Sequence, residues 1–508
     1  MGTDTPAAGT TAPVQLAQAH LGELDPRVAQ PAYDRSAVTA GIVHFGVGGF
    51  HRAHEAMYLD ALMNDGSALD WGLCGVGALP HDRRIIDTLK AQDGLYTLVV
   101  KHPDGRREPR VIGSMVELLF APDDPDAVVD RLVDERTRIV SLTITEGGYL
   151  VNQVTGEFDA DDPSIQADLV EGATPGSVFG YITAALARRR DEGRDPFTVM
   201  SCDNLPDNGD VARRMIGAFA RLKDPGLADW MEEHVAFPNC MVDRITPVTT
   251  PQDIERLRED FGVEDGWPVV CEPFTQWALE DRFGQGRPPF EDAGVQMVED
   301  VVPYELMKLR LLNASHQSLC YLGHLAGYQY AHEVAQDPLF AGFLLAYMEH
   351  EGSPTLPPVP DVDLDAYRHA LVARFANPEV RDTLARLCAE SSDRIPKWLV
   401  PVIRANLRDG GEIDRSALVV ASWARYAEGR DEQGEPIEVV DRLKDRVMAA
   451  AAQRTQDPLA FIRDRDLFGD LADDERFAAA YTRALEQLHD VGARATLEAR
   501  SGDDARPA

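Results

Sequence analysis

The stretch GIVHFGVGGFHRAHEAMYLDALMN constrains this chain more than any other part of it. Gly41 to Phe45 is short, apolar and β-favouring, and it runs straight into Gly46-Val47-Gly48-Gly49-Phe50-His51, after which a helical pattern begins at about Ala53. Strand, glycine turn and helix together form the local context of a dinucleotide-binding unit. The first glycine permits the tight turn, and the second lets the backbone approach a pyrophosphate that lies on the amide-rich helix N-terminus. The third glycine of G-x-G-x-x-G is replaced by His51, so helix and strand must pack differently there. An ordinary strand-to-helix loop is the bland alternative. The next strand candidate, Trp71 to Gly77, is followed by Asp82. An acidic residue after the second strand accepts hydrogen bonds from the ribose hydroxyls of NAD and repels the extra phosphate of NADP. Asp82 lies later than the usual spacing, and Arg83 and Arg84 beside it offer charge to a phosphate. The expectation is NAD, with NADP left open.

Strand-like and helical segments then alternate: YTLVV at Tyr96, RIVSLTIT from Arg138 to Thr145, a helix near Gly180 to Arg190, and PFTVMSCDN from Pro196 to Asn204. Such alternation predicts an α/β fold with a doubly wound parallel sheet. Ligands gather at the carboxyl ends of its strands. TEGGY and CDNLPDNG each follow an apolar strand, which puts Glu146 and Asn204 on the same rim as the glycine turn. From about Val302 long helical patterns dominate, interrupted by the proline-rich surface connection Ser353 to Asp365. The expected organisation is a lead-in over 1–38, a Rossmann-type nucleotide domain over 39–300, and a mostly α-helical substrate and catalytic domain over 301–508.

At the start of that last part, KLRLLNASHQSLCYLG sets a lysine, an asparagine and a histidine into an apolar helical pattern. At about 100° per residue, with Lys308 as origin, Glu305 falls near about 60°, His316 near about 80° and Asn313 near about 140°. All four share one broad arc, bordered by Leu309, Leu311, Leu319 and Leu322. An amine in such surroundings must find a partner or lose its proton, and a lysine with a lowered pKa is a candidate general base. The structural alternative is a snorkelling lysine and a satisfied core histidine.

Composition removes several classes. The formal net charge of −35 repels nucleic acid and anionic membrane, and a neutral small-molecule substrate suits it better. No run of apolar residues is long enough for a membrane span, and MGTDTPAAGTTAPVQ lacks the basic start and apolar centre of a secretory signal. The six cysteines are scattered without a C-x-x-C pair, the usage of reduced thiols in a cytoplasm. No grouped Cys and His ligands suggest zinc, and the nearby His51, His54 and Glu55 belong to the glycine-turn context, so no metal is expected.

FGVGGFHRAH, TITEGGY, SCDNLPDNG, FPNCMVDRITP, CEPFTQW and KLRLLNASH occur in the order seen in a known family. Over about residues 40 to 490 the chain resembles the polyol-specific long-chain dehydrogenases, the mannitol dehydrogenase family. The resemblance implies zinc-independent, NAD-dependent interconversion of D-mannitol and D-fructose. Lys308 would be the general base, Asn204 and Asn313 the oxyanion hole, and His316 the group orienting the reacting oxygen. Glu305 would gate proton exchange with water, and Glu146 would assist at the nicotinamide. Asp243 matches a substrate-binding aspartate. Arg386 and Arg394 lie where members contact distal hydroxyls, although many have lysine at the place of Arg394, and Lys397 competes for that role. Arabinitol oxidation or fructuronate reduction is the rival reading inside the family. A non-catalytic NAD-binding sensor is the rival outside it. The sequence gives no oligomeric state, and monomers are common in the family.

Overall fold

The computed structural model describes residues 13–152 and 156–504. Along the chain lie two compact units, Met1–Val301 and Val302–Ala508.

Five parallel strands organise the first unit: β1 (Ala40–Phe45), β2 (Gly72–Gly77), β3 (Met115–Phe120), β4 (Ile139–Leu142) and β5 (Thr198–Ser201). Their order is β3-β2-β1-β4-β5. The winding reverses beside β1, and the crevice outside the carboxyl ends of such strands is where ligands bind. Every residue of β1, β2, β4 and β5 is buried, as a parallel sheet covered on both faces requires. Val43 and Phe45 enter one apolar cluster and Ile42 the other. His44 shares the parity of Ile42 and so faces the side where helices α1 (Gly49–Ala53) and α2 (Glu55–Asn64) lie.

Two expectations change here. The segment at Tyr96 is outside this sheet: Tyr96–Lys101 is the central strand of a separate three-stranded sheet, parallel to Val269–Cys271 and antiparallel to Arg107–Ile112. The short HPDGR loop folds it into a hairpin, with Gly105 at φ +83°, so it cannot be one strand of a wound parallel set. Of the lead-in expected over residues 1–38, residues 1–12 lie outside the described residues. From Val14 on it is built in. Val14 and Gln15 pair with Val263 and Glu264, and Leu16, Leu21, Leu24 and Val28 are buried with Leu95, Val99 and Val263.

The second unit is helical. It begins with α3 (Val302–Met307), a π-helical segment Lys308–Asn313, and α4 (Ala314–Leu325). Further along come α5 (Pro338–Tyr347), a second π-helical segment Met348–Gly352, α6 (Asp414–Ala427) and α7 (Glu475–Asp504). Almost every residue of α6 is buried, which marks it as the central helix of this unit. It packs against α7 and α4. No helix among the described residues is long and apolar enough to cross a membrane.

Candidate active site

The glycine turn is shaped by close approach to β4. Gly46 has φ +96°, and a Cβ there would lie 2.1 Å from the Thr143 carbonyl oxygen. Two donors converge on the Gly46 carbonyl, the Gly48 N–H at 2.6 Å and the Thr143 hydroxyl at 2.7 Å, and His44 Nε2 lies 3.1 Å from it. Gly48 is different, because it is exposed and the nearest atom to a Cβ there would be 3.8 Å away. One glycine is therefore demanded by the protein, while the other leaves an open backbone surface that fits a dinucleotide phosphate. Val47 is buried, and Gly49 and Phe50 are half-buried. The helix starts at Gly49 and not at about Ala53, and His54, at φ −126° and ψ −95°, breaks it into α1 and α2. Arg52, also buried, donates from Nε to the Gly48 carbonyl at 3.2 Å and from Nη1 to the Trp267 carbonyl, bracing the turn from below.

His51 shows how the missing third glycine is replaced. Its ring lies flat on that of His44, with centroids 3.4 Å apart and planes 11° apart, and its Nδ1 donates to Glu55 Oε2 at 3.1 Å. Ser141 Oγ donates to the same carboxylate oxygen at 2.9 Å and meets His44 Nδ1 at 2.8 Å. The His51 side chain thus belongs to the packing of helix on strand. His44, His51 and Glu55 could together be taken for a metal site. Stacked rings, however, send their in-plane lone pairs along parallel lines, so one ion could not lie in both ring planes. Despite its burial, Glu55 is held well below the usual carboxylate range by hydrogen bonds from His44 and His51.

These buried histidines make the fold acid-sensitive. Burial pushes His51 down to about 3 and His54 to about 4. Each group is neutral when folded but takes up a proton below about 6.5 when unfolded. Their stabilisation is therefore complete above pH 6.5 and is lost as pH falls toward those lower values. At pH 5 the loss is about 2 kcal/mol for each. Urea unfolding at pH 7 and pH 5 should show a smaller pH difference for a His54→Gln variant than for the parent chain, and equal differences would contradict this assignment.

Glu146 and Asn204 lie on the rim with the glycine turn, in the loops that leave the adjacent strands β4 and β5. Both are exposed. Asp203 ties their loops together: its carboxylate accepts from the N–H groups of Ile144 at 3.0 Å and Thr145 at 2.8 Å, and from the Tyr149 hydroxyl at 2.7 Å. Asp243, buried, ends the strand Cys240–Asp243 in a second three-stranded sheet. Asp82 follows β2, where its Oδ2 accepts from the Leu79 N–H at 2.9 Å and its Oδ1 lies 3.5 Å from His81 Nε2. Arg83 is committed to Asp123 and sits over the Phe120 ring.

In the second unit Glu305, Lys308, Asn313 and His316 lie on one continuous helical run, but not in the arc that regular α-geometry gives. Lys308–Asn313 is a π-helix, closed by the Ala314 N–H donating to the Leu309 carbonyl, five residues back. A turn of this width holds more residues than an α-turn, so Asn313 comes round closer above Lys308 than the predicted 140° or so. The wider turn corrects the angular reading, because a fixed 100° step presupposes i→i+4 bonds throughout. Lys308, Glu305 and Asn313 are buried, and His316 is half-buried with its ring 4.5 Å from that of Phe375. The segments Leu384–Cys388 and Ser391–Trp398 pack on α4. There, exposed Arg386 forms a fork with Asp382, which raises its pKa, and Arg394 donates to the Leu387 carbonyl at 2.8 Å. Lys397 is exposed.

Two family models match the chain. The mannitol dehydrogenase Rossmann domain matches residues 40–292, and the mannitol dehydrogenase C-terminal domain matches residues 300–489. The chain belongs to the mannitol dehydrogenase family. It is 46% identical over 490 residues to mannitol 2-dehydrogenase of Phaeosphaeria nodorum, covering 96% of this chain and 85% of that protein. Mannitol 2-dehydrogenase of Aspergillus fumigatus is 47% identical, with 92% and 94% covered. Among solved structures, Pseudomonas fluorescens mannitol 2-dehydrogenase in a ternary complex with NAD and D-mannitol superposes with a TM-score of 0.84 at 46% identity, covering 96% of this chain and all of that one. A substrate-free D-sorbitol dehydrogenase superposes with a TM-score of 0.90 at 38% identity, covering 95% and 100%.

Within this mannitol dehydrogenase framework, sequence reasoning passed over His44, Arg52, Thr143 and Asp203, and it weighed Glu55 only as a metal ligand. A histidine inside the apolar strand GIVHF was the available signal for His44. Glu55, one turn after His51, was the signal for its partner. Arg52 and Thr143 gave none, because their targets are backbone carbonyls.

Proposed function

We propose that this chain is an NAD-dependent dehydrogenase of polyols that interconverts D-mannitol and D-fructose. The observation that carries the reading is buried Lys308 on a π-turn with Asn313, in a chain 46% identical over 96% of its length to a relative solved with NAD and D-mannitol. Burial disfavours the ammonium form, so Lys308 serves as the amine that takes the hydroxyl proton of the alcohol. NAD, when bound, accepts the hydride from the neighbouring carbon. Asn204 and Asn313 donate to the alkoxide as its charge develops, and His316 orients the reacting oxygen. Glu305 passes the lysine's proton to water, and Glu146 assists at the nicotinamide side. The glycine turn from Gly46 to His51 cradles the pyrophosphate with backbone groups, and no metal takes part.

A neutral substrate is supported by the state of the cations offered for distal contacts. Arg386 is already engaged by Asp382 and Arg394 by a backbone carbonyl, which suits hydroxyl contacts from their remaining N–H groups better than a uronate carboxylate. Asp243 accepts from sugar hydroxyls. NADH formation followed at 340 nm with D-mannitol, D-sorbitol, D-arabinitol and D-mannonate tests this directly. The expected result is the highest kcat/KM on D-mannitol, with a rate that rises with pH as the lysine loses its proton. A preference for D-mannonate would move the activity to uronate reduction, and silence on all four with NADH still bound would favour a sensor.

Asp82 sets the cofactor preference in this reading. Asp82→Asn keeps an acceptor for the Leu79 N–H and removes the charge. It should raise the NADP to NAD ratio of kcat/KM by about five- to tenfold, the effect of losing one close repulsion at the surface. An unchanged ratio would take Asp82 out of the argument.

A further inference from the structure

A π-turn inside an α-helix leaves a mark on the backbone. When the helix returns from i→i+5 to i→i+4 bonding, one carbonyl is passed over. Here the last wide bond ends on the Leu309 carbonyl, so the carbonyl passed over is that of Arg310. The hydroxyl of Tyr347 donates to this oxygen at 3.0 Å. Tyr347 is fully buried, the last residue of α5, and burial pushes its own pKa well above 10, so it acts as a fixed donor. A second π-turn, Met348–Gly352, follows directly and packs on the first. At its end Gly352 comes so close that a Cβ would lie 2.8 Å from Leu311 Cδ2 and 3.3 Å from the Arg310 carbonyl oxygen. The second turn is held in place in turn. Asn406 Nδ2 donates to the Glu351 carbonyl at 2.9 Å, and the Glu351 carboxylate accepts from the N–H groups of Arg415 and Ser416, each at 2.7 Å.

We infer that Tyr347, seated by the close approach of Gly352, is a positioning residue that holds the Lys308–Asn313 π-turn open and thereby sets the placement of the lysine. The inference rests on Lys308 being the base. Without the Tyr347 hydroxyl, the Arg310 carbonyl has a reason to recover an intrahelical bond. The wide turn then narrows, and Lys308 and Asn313 move apart around the helix. A base displaced by a fraction of its reach loses rate far more than binding. The rearrangement also admits water to the amine, which raises its pKa toward the ordinary lysine value.

Tyr347→Phe removes only the hydroxyl, and Gly352→Ala pushes on the same turn while leaving that hydroxyl in place. Both variants should lose about ten- to a hundredfold in kcat on D-mannitol. Both should show the rising limb of the kcat profile displaced to higher pH, and both should keep the parent dissociation constant for NADH, read by protein fluorescence. Melting temperatures measured alongside separate a folding defect from this pattern. If the pH limb stays in place in both variants, or kcat and NADH affinity fall together in both, the positioning role is overturned. Lys308→Ala is run in parallel. Turnover retained in that variant would defeat the base reading, whereas its loss combined with unshifted profiles in the other two would defeat only the role of Tyr347.

Discussion

Lys308→Ala should lose about 10²- to 10⁴-fold in kcat on D-mannitol while NADH binding stays near the parent value. The lysine lies in the helical unit, whereas the glycine turn that contacts the nucleotide in the proposed reading lies in the first unit. Removing one amine therefore has a route to turnover that does not pass through the cofactor. Alanine suits a helix at least as well as lysine, so the backbone has no reason to rearrange. A pH series adds a second check: the rising limb seen in the parent should vanish from the residual activity. That limb must be read against stability at each pH, because neutral buried His51 and His54 already weaken the fold below pH 6.5. Near-parental turnover in Lys308→Ala would mean that another group takes the proton.

Gly46→Ala should be as damaging, by a wholly different route. At φ +96° an L side chain is strained, and the added carbon would sit 2.1 Å from the backbone oxygen of Thr143, which cannot swing aside as a side chain can. Strain and overpacking together cost about 2–5 kcal/mol of stability. Relief requires β1 and β4 to part at their carboxyl ends, which displaces the Gly46 carbonyl from the Gly48 N–H and the Thr143 hydroxyl and spoils the surface presented by Gly48. The variant should melt well below the parent, and the part that remains folded should bind NADH at least tenfold more weakly. Gly48→Ala is the informative contrast. With the nearest atom 3.8 Å from its Cβ, it should fold normally and weaken NADH alone. Normal NADH affinity in Gly46→Ala would show that the turn tolerates a side chain and that its geometry does not depend on glycine.

What could be read in advance was what depends on local pattern. Strand, glycine turn and helix, the apolar strands before TEGGY and SCDN, and the change to helical periodicity near Val302 are all written in runs of neighbouring residues. They were enough for the α/β class and for placing Glu146 and Asn204 on one rim. What escaped depends on residues far apart in sequence. The π-turn under Lys308 is invisible to a periodicity that assumes 100° per residue, and the donor that accommodates it, Tyr347, is distant in sequence and sits in an unremarkable apolar helix. The pairing of Val14 and Gln15 with Val263 and Glu264 is equally non-local, so those residues looked like a loose lead-in. The stack of His44 on His51 joins a strand to a helix across the turn, and only the missing third glycine hinted that something had to fill that place.

The π-turn at Lys308 can also be viewed as a matter of length. A helix with one wide turn is a regular helix carrying one residue too many, and the excess is confined between Met307 and Ala314. Deleting a single residue there would let the run close as ordinary α-helix, shedding the need for outside donors, and because the excess is confined to the wide turn the helix before it and after it would keep their alignment. Such a chain would keep Glu305 and His316 on their present faces, and the change would be confined to the turn itself. In this part of the molecule the loss of one residue is therefore a local change, unlike a deletion in a regular helix, where everything on one side swings by about 100°.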